Sequence, residues 1–226
     1  MRRIGILGGM GPEATVLLMQ KVIAAVPAQD DADHVPLIVD QNPQVPSRLA
    51  RLLDGAGEDP APVLAAMAQR LAAAGAEALA MPCNTAHHYA PAIHDATPLP
   101  FLDMIALSAR HAAGLGRGPV GILASPAVQR IGLFEPAFEA MGLTLLYPEA
   151  PEETLPIIRR IKAGGADAEA RAALRLVSEG LLARGATVQM IACTEFSLIA
   201  DSVAPGIRGF DTLDCLVAAI VEFARN

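Results

Sequence analysis

Short apolar runs alternate along this chain with longer segments in which Ala and Leu recur at helical spacing. Such runs are typical of buried strands, and such segments are typical of the helices that cover them. We therefore predict an α/β protein with a largely parallel sheet. The predicted strands are residues 3–7, 35–40, 78–81, 120–123, 143–146 and 187–192.

Glycine and proline mark where the predicted helices and loops end. The helix predicted over residues 60–74 is followed by Gly75, and the helix over residues 168–183 ends near Gly185, so each has a glycine placed for a C-cap. Residues 42–60, with Pro43, Pro46 and Gly55, are predicted to form a long functional loop.

An approximate internal repeat divides the chain. Two short motifs recur in the same order: Ile4-Gly5-Ile6-Leu7 as Val120-Gly121-Ile122-Leu123, and Pro100-Phe101-Leu102-Asp103 as Arg208-Gly209-Phe210-Asp211. We interpret this as a duplicated α/β domain. The first domain is predicted to contain residues 1–104 and 211–226, and the second residues 105–210.

Composition excludes several classes of function. The chain has 226 residues, of which 53% are hydrophobic, and no apolar stretch is long enough to span a membrane. Its formal net charge of −7, without a basic cluster, argues against nucleic-acid binding. Three cysteines without CxxC spacing indicate neither a disulfide framework nor a zinc site, which fits a reducing cytoplasm.

Two of the cysteines lie in matched settings. Cys83 and Cys193 each follow an apolar run and precede a helical segment rich in polar residues. We therefore expect each thiol at a helix N-terminus, where the helix dipole favours the thiolate. Cys215 lies inside an apolar helix over residues 213–223 and is predicted to be a packing residue.

A pair of cysteines on opposite sides of a cleft suits a two-base reaction. Inversion of a stereocentre beside a carboxylate needs a base on one face and an acid on the other, which a thiolate and a thiol supply. Backbone N–H groups, with Asn84, Thr85 and Thr194, are candidate donors to the substrate carboxylate. No feature of the sequence requires a metal or an organic cofactor.

Other motifs allow competing interpretations. The loop from Gly8 to Ala14 formally fits a dinucleotide fingerprint with Asp40 as the ribose-binding acid, although we favour anion or substrate binding there. His87, His88 and His94 could suggest a metal site, but a capping or surface role is the simpler interpretation. Arg48 and Lys162 could be ordinary surface cations.

Together these motifs resemble the aspartate/glutamate racemase superfamily, and most closely its cofactor-independent aspartate racemases. The resemblance spans nearly the whole chain and is carried by residues 4–15, 42–48, 81–87 and 192–195. It implies two pseudo-symmetric Rossmann-like domains with the active site between them, a homodimer, and proton transfer at one carbon of a small dicarboxylic amino acid without pyridoxal phosphate.

The resemblance also implies roles for single residues. Cys83 would act on the D-enantiomer and Cys193 on the L-enantiomer. Asn84, Thr85 and Thr194 would hold the α-carboxylate and the amine of the substrate. Arg48 and Lys162 would bind the distal carboxylate, and Met10 would line the cleft. Glu195 stands where glutamate racemases typically carry histidine, which favours aspartate.

One segment departs from the family pattern. Residues 124–127 replace a threonine-rich turn, and there Ser125 can supply one hydroxyl while Pro126 lacks an N–H. Maleate isomerisation and racemisation of hydantoins or a broad range of amino acids therefore stay open as alternatives. So does a ligand-binding relative without turnover.

Overall fold

The computed structural model describes residues 1–226 and contains two parallel sheets with helices around them. This arrangement confirms the predicted α/β class. The strands are β1 (Ile4–Gly8), β2 (Leu37–Gln41), β3 (Ala78–Ala80), β4 (Phe101–Leu102), β5 (Val120–Leu123), β6 (Leu145–Leu146), β7 (Val188–Ile191) and β8 (Arg208–Asp211).

The helices occupy most of the intervals between strands. They are α1 (Pro12–Ala24), α2 (Arg48–Leu53), α3 (Ala61–Ala73), α4 (Ala90–Ala96), α5 (Met104–Leu115), α6 (Pro126–Arg130), α7 (Glu135–Glu139), α8 (Thr154–Lys162), α9 (Ala168–Ala183), α10 (Thr194–Ser197) and α11 (Thr212–Arg225). Short 3-10 helices cover Asp31–Asp33, Thr85–Tyr89, Pro151–Glu153 and Ala200–Ser202. None of the helices combines the length and the apolar character that crossing a membrane requires.

The two sheets repeat one topology. The first has the order β2-β1-β3-β4 and the second β6-β5-β7-β8, with every pair parallel. The repeated glycines have the same function in both, since a Cβ at Gly5 would lie 2.9 Å from the Cβ of Ala76, and one at Gly121 would lie 3.0 Å from that of Ala186. Only glycine allows the chain after the covering helix to approach the strand this closely.

Apolar side chains cover both faces of each sheet. In the first half, Ile4 and Ile6 of β1 pack against α1 and α11, while Leu7 packs against α3 on the other face. Burying such a side chain contributes about 1.5–3 kcal/mol. The C-terminal helix α11 therefore returns to the first sheet, and its buried face includes Leu213 and Ile220.

Helix α5 contacts the cores of both halves. Met104 at its start packs with β1 and α11, whereas Ile105, Ala109 and Ala112 pack into the core around β5 and β7. The main-chain connections between the two sheets run through α5 and through the β8–α11 junction.

The structure corrects three expectations about local elements. Residues 42–60 are not all loop, because Arg48 begins helix α2, whose N-cap Ser47 accepts a hydrogen bond from the Ala50 N–H. The strands β4 and β8 were not predicted, since neither is a long apolar run. The helices expected after the cysteines are short: a 3-10 helix follows Cys83, and the four-residue α10 follows Cys193.

Candidate active site

Equivalent strands carry the two cysteines. Cys83 follows the carboxyl end of β3 and Cys193 that of β7, and each of these strands is the third in its sheet. Ligands of parallel α/β sheets bind beyond this edge. Both thiols are buried and free of disulfides.

One narrow cavity of about 40 Å³ contains both thiols in its lining. It opens beside a wider chamber of about 420 Å³, and Ser47, Arg48, Lys162 and Glu195 line both. The narrow cavity is lined by Met10, Ser47, Arg48, Leu49, Cys83, Thr85, Ser125, Ile158, Lys162, Cys193 and Glu195. Residues from both halves of the chain therefore enclose one small site with polar and apolar walls.

A carboxylate lies against the Cys193 thiol. The thiol donates to Oε2 of Glu195 at 3.1 Å, and Nζ of Lys162 lies 3.1 Å from Oε1 of the same carboxylate. Burial, followed by the charge and hydrogen bond of Glu195, raises the pKa of the Cys193 thiol well above its usual range. This direction is opposite to the one expected from the helix dipole, because α10 is a single turn and burial and Glu195 outweigh it.

A neutral histidine holds the main chain at Cys83. Nε2 of His87 accepts the Met104 N–H at 3.1 Å, so the ring proton lies on Nδ1 and is donated to the Cys83 carbonyl at 2.8 Å. Burial lowers the pKa of His87, which favours this neutral form. His87 thus connects the Cys83 segment to the start of α5.

Arg48 combines fixed and free donors. Its Nη1 donates to the carbonyls of Val45 and Pro46, which holds the guanidinium against the preceding turn. Its Nε is buried and has no partner. An unpaired buried donor of a permanent cation beside a cavity is suited to a carboxylate ligand.

Two side-chain hydrogen bonds connect the segments around the cavity. The hydroxyls of Thr85 and Ser125 lie 3.3 Å apart, which joins the first half to the second. Nδ2 of Asn84 donates to Oγ1 of Thr212 at 3.0 Å. Asn84 and Thr194 are buried but absent from the cavity lining, unlike the other predicted site residues.

The glycine loop lines the wider chamber. Gly9 has a φ of 92°, and a Cβ there would lie 2.4 Å from the Asn42 carbonyl carbon, so only glycine fits. A Cβ at Gly11 would face Oε1 of Glu195 at 3.6 Å. The candidate ribose-binding acid Asp40 is instead bound by Nε and Nη2 of Arg70.

The three histidines do not form a common site. His87 uses both ring nitrogens in hydrogen bonds, whereas His88 and His94 are exposed and pack beside Tyr89 and Phe101. No group of three or more His, Cys, Asp or Glu side chains is arranged to hold a metal ion. Cys215 is buried on α11 outside the cavity lining.

Several residues of the site were not predicted from the sequence. Ser47, Leu49 and Ile158 line the cavity, but no local pattern distinguishes them from ordinary surface or core positions. Asp211 was visible as the counterpart of Asp103 in the repeat. Both aspartates cap the next helix, Asp103 by accepting the N–H of Ile105 and Asp211 by accepting that of Leu213.

Fold and site define a pseudo-symmetric α/β protein that carries one cysteine from each half in a shared cavity. The sequence model of the Asp/Glu/Hydantoin racemase family matches residues 7–220, and the chain belongs to this family. Membership implies isomerase activity.

Relatives of known structure or activity agree with this assignment. The chain is 24% identical over 224 residues to the broad specificity amino-acid racemase RacX of Bacillus subtilis, covering 97% of this chain and 96% of the relative. It superposes on the aspartate racemase of Picrophilus torridus with a TM-score of 0.91 and 26% identity, covering 100% of this chain and 95% of that one. A glutamate racemase of Francisella tularensis shares the fold at 15% identity and a TM-score of 0.67, covering 98% and 80%.

Proposed function

We propose that this protein is a cofactor-independent amino-acid racemase that prefers aspartate and inverts Cα with two cysteines. The observation that supports this best is the shared cavity, which Cys83 and Cys193 line from equivalent strands of the two sheets. The structural similarity to an aspartate racemase favours aspartate over other amino acids.

The proposed reaction moves two protons. In the form that acts on D-aspartate, the Cys83 thiolate removes the α-proton, and the electron pair of the C–H bond is delocalised into the α-carboxylate. The Cys193 thiol then gives its proton to the opposite face of Cα, which produces L-aspartate. Cys83 is now a thiol and Cys193 a thiolate, and this is the form that acts on L-aspartate.

Glu195 prepares Cys193 for the acid step. The raised pKa keeps this sulfur protonated, and its hydrogen bond to Oε2 of Glu195 fixes the thiol in one orientation. Lys162 stabilises the charge of Glu195 from the other side. When Cys193 becomes the thiolate, the same carboxylate raises its basicity, which favours proton removal from L-aspartate.

Polar groups around the cavity would bind the two substrate carboxylates. The hydroxyls of Thr85 and Ser125 bond only weakly to each other and can turn toward the α-carboxylate, where negative charge develops. Arg48 would bind the distal carboxylate through its unpaired Nε. Asn84 and Thr194, which do not line the cavity, would act by holding their neighbouring cysteines.

A second candidate is a racemase of broad specificity. The observation that favours it is the ion pair between Lys162 and Glu195, which neutralises one of the two cations assigned to the distal carboxylate. The wider chamber begins at the same residues and has room for a larger or uncharged side chain. The similarity to a broad specificity racemase points the same way.

Proton exchange in deuterated buffer tests the proposal. Reduced, dialysed protein is incubated with each enantiomer of aspartate, glutamate, alanine and lysine, followed by proton NMR and chiral separation. We expect loss of the α-proton signal and formation of the opposite enantiomer, fastest with aspartate. Comparable rates across the panel would favour broad specificity, and exchange with none would contradict the racemase proposal.

Cysteine variants test the mechanism in the same assay. Cys83→Ala and Cys193→Ala should each lose racemisation by at least about 10³-fold, because each removes the only acid or base on one face. Cys215→Ala is the matched control and should keep full activity. Full activity in either cavity variant would contradict the two-cysteine mechanism, and a covalent adduct of maleate on Cys83 would favour isomerisation instead.

The homodimer stays a prediction from the resemblance, and the cytoplasmic location stays a prediction from the cysteine content. A homodimer predicts twice the mass of 23.5 kDa in light scattering. If the protein is cytoplasmic, cell fractionation should recover it in the cytoplasmic fraction and not in the membrane or extracellular fraction.

A further inference from the structure

Both cysteine-bearing segments are tied to one dipeptide, Asp211-Thr212, at the junction of β8 and α11. Nδ2 of Asn84, the residue after Cys83, donates to Oγ1 of Thr212 at 3.0 Å. The hydroxyl of Ser197, the last residue of the short helix that begins after Cys193, donates to Oδ1 of Asp211 at 3.0 Å. Two adjacent residues therefore hold the two segments separately.

These contacts are buried and lie on a rigid support. Asn84, Ser197, Asp211 and Thr212 are all at most 6% exposed, so water cannot replace a lost partner. Asp211 also caps α11 through the Leu213 N–H at 2.8 Å. Since α11 packs against β1 and α5, the dipeptide is fixed relative to the cores of both halves.

The dipeptide stays clear of the substrate cavity. Neither Asp211 nor Thr212 lines either chamber, in contrast to Thr85 and Ser125, whose mutual hydrogen bond a substrate would displace. The contacts of the dipeptide can therefore persist during turnover.

We propose that Asp211 and Thr212 are positioning residues that together set the separation of the two thiols across the substrate, with Thr212 acting through Asn84 on Cys83 and Asp211 acting through Ser197 on Cys193. The proposal rests on the proposed racemase function. Two-base transfer needs both sulfurs within reach of one carbon, and a misplacement of about 1 Å can lower the rate about 10²-fold.

This arrangement predicts that each substitution affects one cysteine and not the other. Thr212→Val removes the partner of Asn84 and leaves Ser197 and Asp211 untouched, whereas Ser197→Ala removes the bond to Asp211 and leaves Asn84 untouched. Thr212→Ser keeps the hydroxyl and should restore wild-type behaviour. Ser178→Ala is the matched control, because Ser178 is a buried serine of the same half bonded to Gln189 away from the cavity.

Alkylation measures thiol placement without turnover. Each protein is treated with iodoacetamide, and the modified Cys83 and Cys193 peptides are followed by mass spectrometry. We expect Thr212→Val to change the alkylation rate of Cys83 several-fold and to leave the alkylation rate of Cys193 unchanged. Ser197→Ala should change the rate of Cys193 and leave that of Cys83 unchanged. Equal changes at both cysteines, or none in either variant, would overturn the proposal.

Isotope effects report which face limits turnover. The enantiomers have equal free energy, so kcat/KM must fall by the same factor in both directions, which we expect to be about 10-fold or more with KM little changed. The kinetic isotope effect of α-deuteration instead identifies the cysteine whose proton transfer is slowed. This isotope effect should rise for the D-substrate in Thr212→Val and for the L-substrate in Ser197→Ala.

These experiments distinguish failure of the racemase proposal from failure of the positioning proposal. A wild-type protein that racemises nothing would end the proposed function, while the alkylation pattern would still decide whether the dipeptide positions the thiols. An active wild-type protein whose variants show the same isotope effects for both enantiomers would end the positioning proposal alone. Should Thr212→Val fail to fold, Ser197→Ala tests the Cys193 half of the proposal independently.

Discussion

The segments around Cys83 and Cys193 occupy equivalent places in two copies of one sheet, yet their partners differ. At Cys83 the held atom is the main-chain carbonyl, which accepts from His87. At Cys193 it is the sulfur itself, which donates to Glu195, and Lys162 pairs with that carboxylate. The duplicated fold has therefore reproduced the position of the thiol and not its chemistry.

This difference suits a reaction that needs unlike groups on its two faces. At each moment of a two-base racemisation one sulfur is a thiol and the other a thiolate, and a resting bias toward protonated Cys193 follows from its raised pKa. The bias must be small enough for the roles to exchange after every turnover. Substitution of Glu195 or of His87 removes one side of this asymmetry at a time.

Among substitutions that keep both cysteines, Glu195→Gln should have the largest effect on activity. It removes the charge beside Cys193 and the partner of Lys162, so we expect kcat to fall by about 10²-fold. Because that charge raises the thiol pKa, its loss should also speed alkylation of Cys193 at pH 8 while Cys83 reacts as before.

Glu135→Gln is the matched control for Glu195→Gln. Glu135 is a carboxylate of the same half that accepts from the Tyr147 hydroxyl and lies outside the cavity. Its substitution should leave the alkylation of both cysteines unchanged. A Glu195→Gln protein in which Cys193 reacts no faster would contradict the contribution of Glu195 to the raised pKa.

Asp211→Asn should change how stability depends on pH. Burial raises the pKa of Asp211 from its ordinary 3.8 to about 6, with Asp214 adding to this and Leu213, Ser197 and Lys21 opposing it. Between these values the folded protein binds more protons than the unfolded chain, so stability is present below pH 3.8 and is lost as pH rises through about 6.

The amide variant lacks this loss because it has no proton to release. Relative to wild type, Asp211→Asn should gain up to about 3 kcal/mol between pH 4 and pH 7.5. Urea unfolding at both pH values measures the difference. If the free energies of unfolding of wild type and variant differ by the same amount at both pH values, Asp211 does not titrate in this range.

His87→Phe should weaken the Cys83 segment and destabilise the fold. It leaves the Met104 N–H and the Cys83 carbonyl without their partner, at a cost of about 1–3 kcal/mol at pH 7.5. His94→Phe is the control, since His94 is exposed and only packs on Phe101.

The loss from His87→Phe should also depend on pH. Burial lowers the pKa of His87, so wild-type stability is present above the ordinary histidine pKa of about 6.5 and is lost as pH falls below it. The variant has no such loss, and its disadvantage should shrink toward pH 5. Thermal unfolding across this range measures the difference, and a disadvantage that stays constant would contradict the lowered pKa of His87.

Arg70→Gln should have the smallest effect. It breaks the ion pair with Asp40, in which the Arg70 side chain is 56% exposed, so we expect less than about 1 kcal/mol and unchanged racemisation. Calorimetry and the chiral assay measure both quantities. A large loss of activity would reopen a ligand-binding role for Asp40.

The sequence predicted the repeated sheets because their central strands are continuous apolar runs. The strands β4 and β8 escaped prediction, since two residues at β4 and the exposed Arg208 at β8 give no such run. Helix α2 was not predicted, because it lies in a segment bounded by prolines, and its N-cap Ser47 is identified by the structure. Apolar pattern therefore identifies central strands better than edges and short helices.

The cysteines could be found from sequence, but their electrostatic setting could not. A helix dipole favours the thiolate at the start of a helix of ordinary length, but the helix after Cys193 has four residues. Burial and Glu195, which depend on the tertiary fold, therefore set the direction of the pKa shift at Cys193. Similarly, no local pattern connects Thr212 to Asn84 across more than half of the chain. Such contacts appear only when the two halves are assembled.

The most direct test of the central claim follows deuterium early in the reaction. L-aspartate and D-aspartate are each incubated with the protein in deuterated buffer, and the reactions are stopped at low conversion. The enantiomers are then separated by chiral chromatography and analysed by mass spectrometry. Two thiols on opposite faces predict that the inverted product carries deuterium at Cα while the recovered substrate keeps its proton. Product that retains the original proton, or substrate that gains deuterium as fast as product forms, would contradict the two-cysteine account.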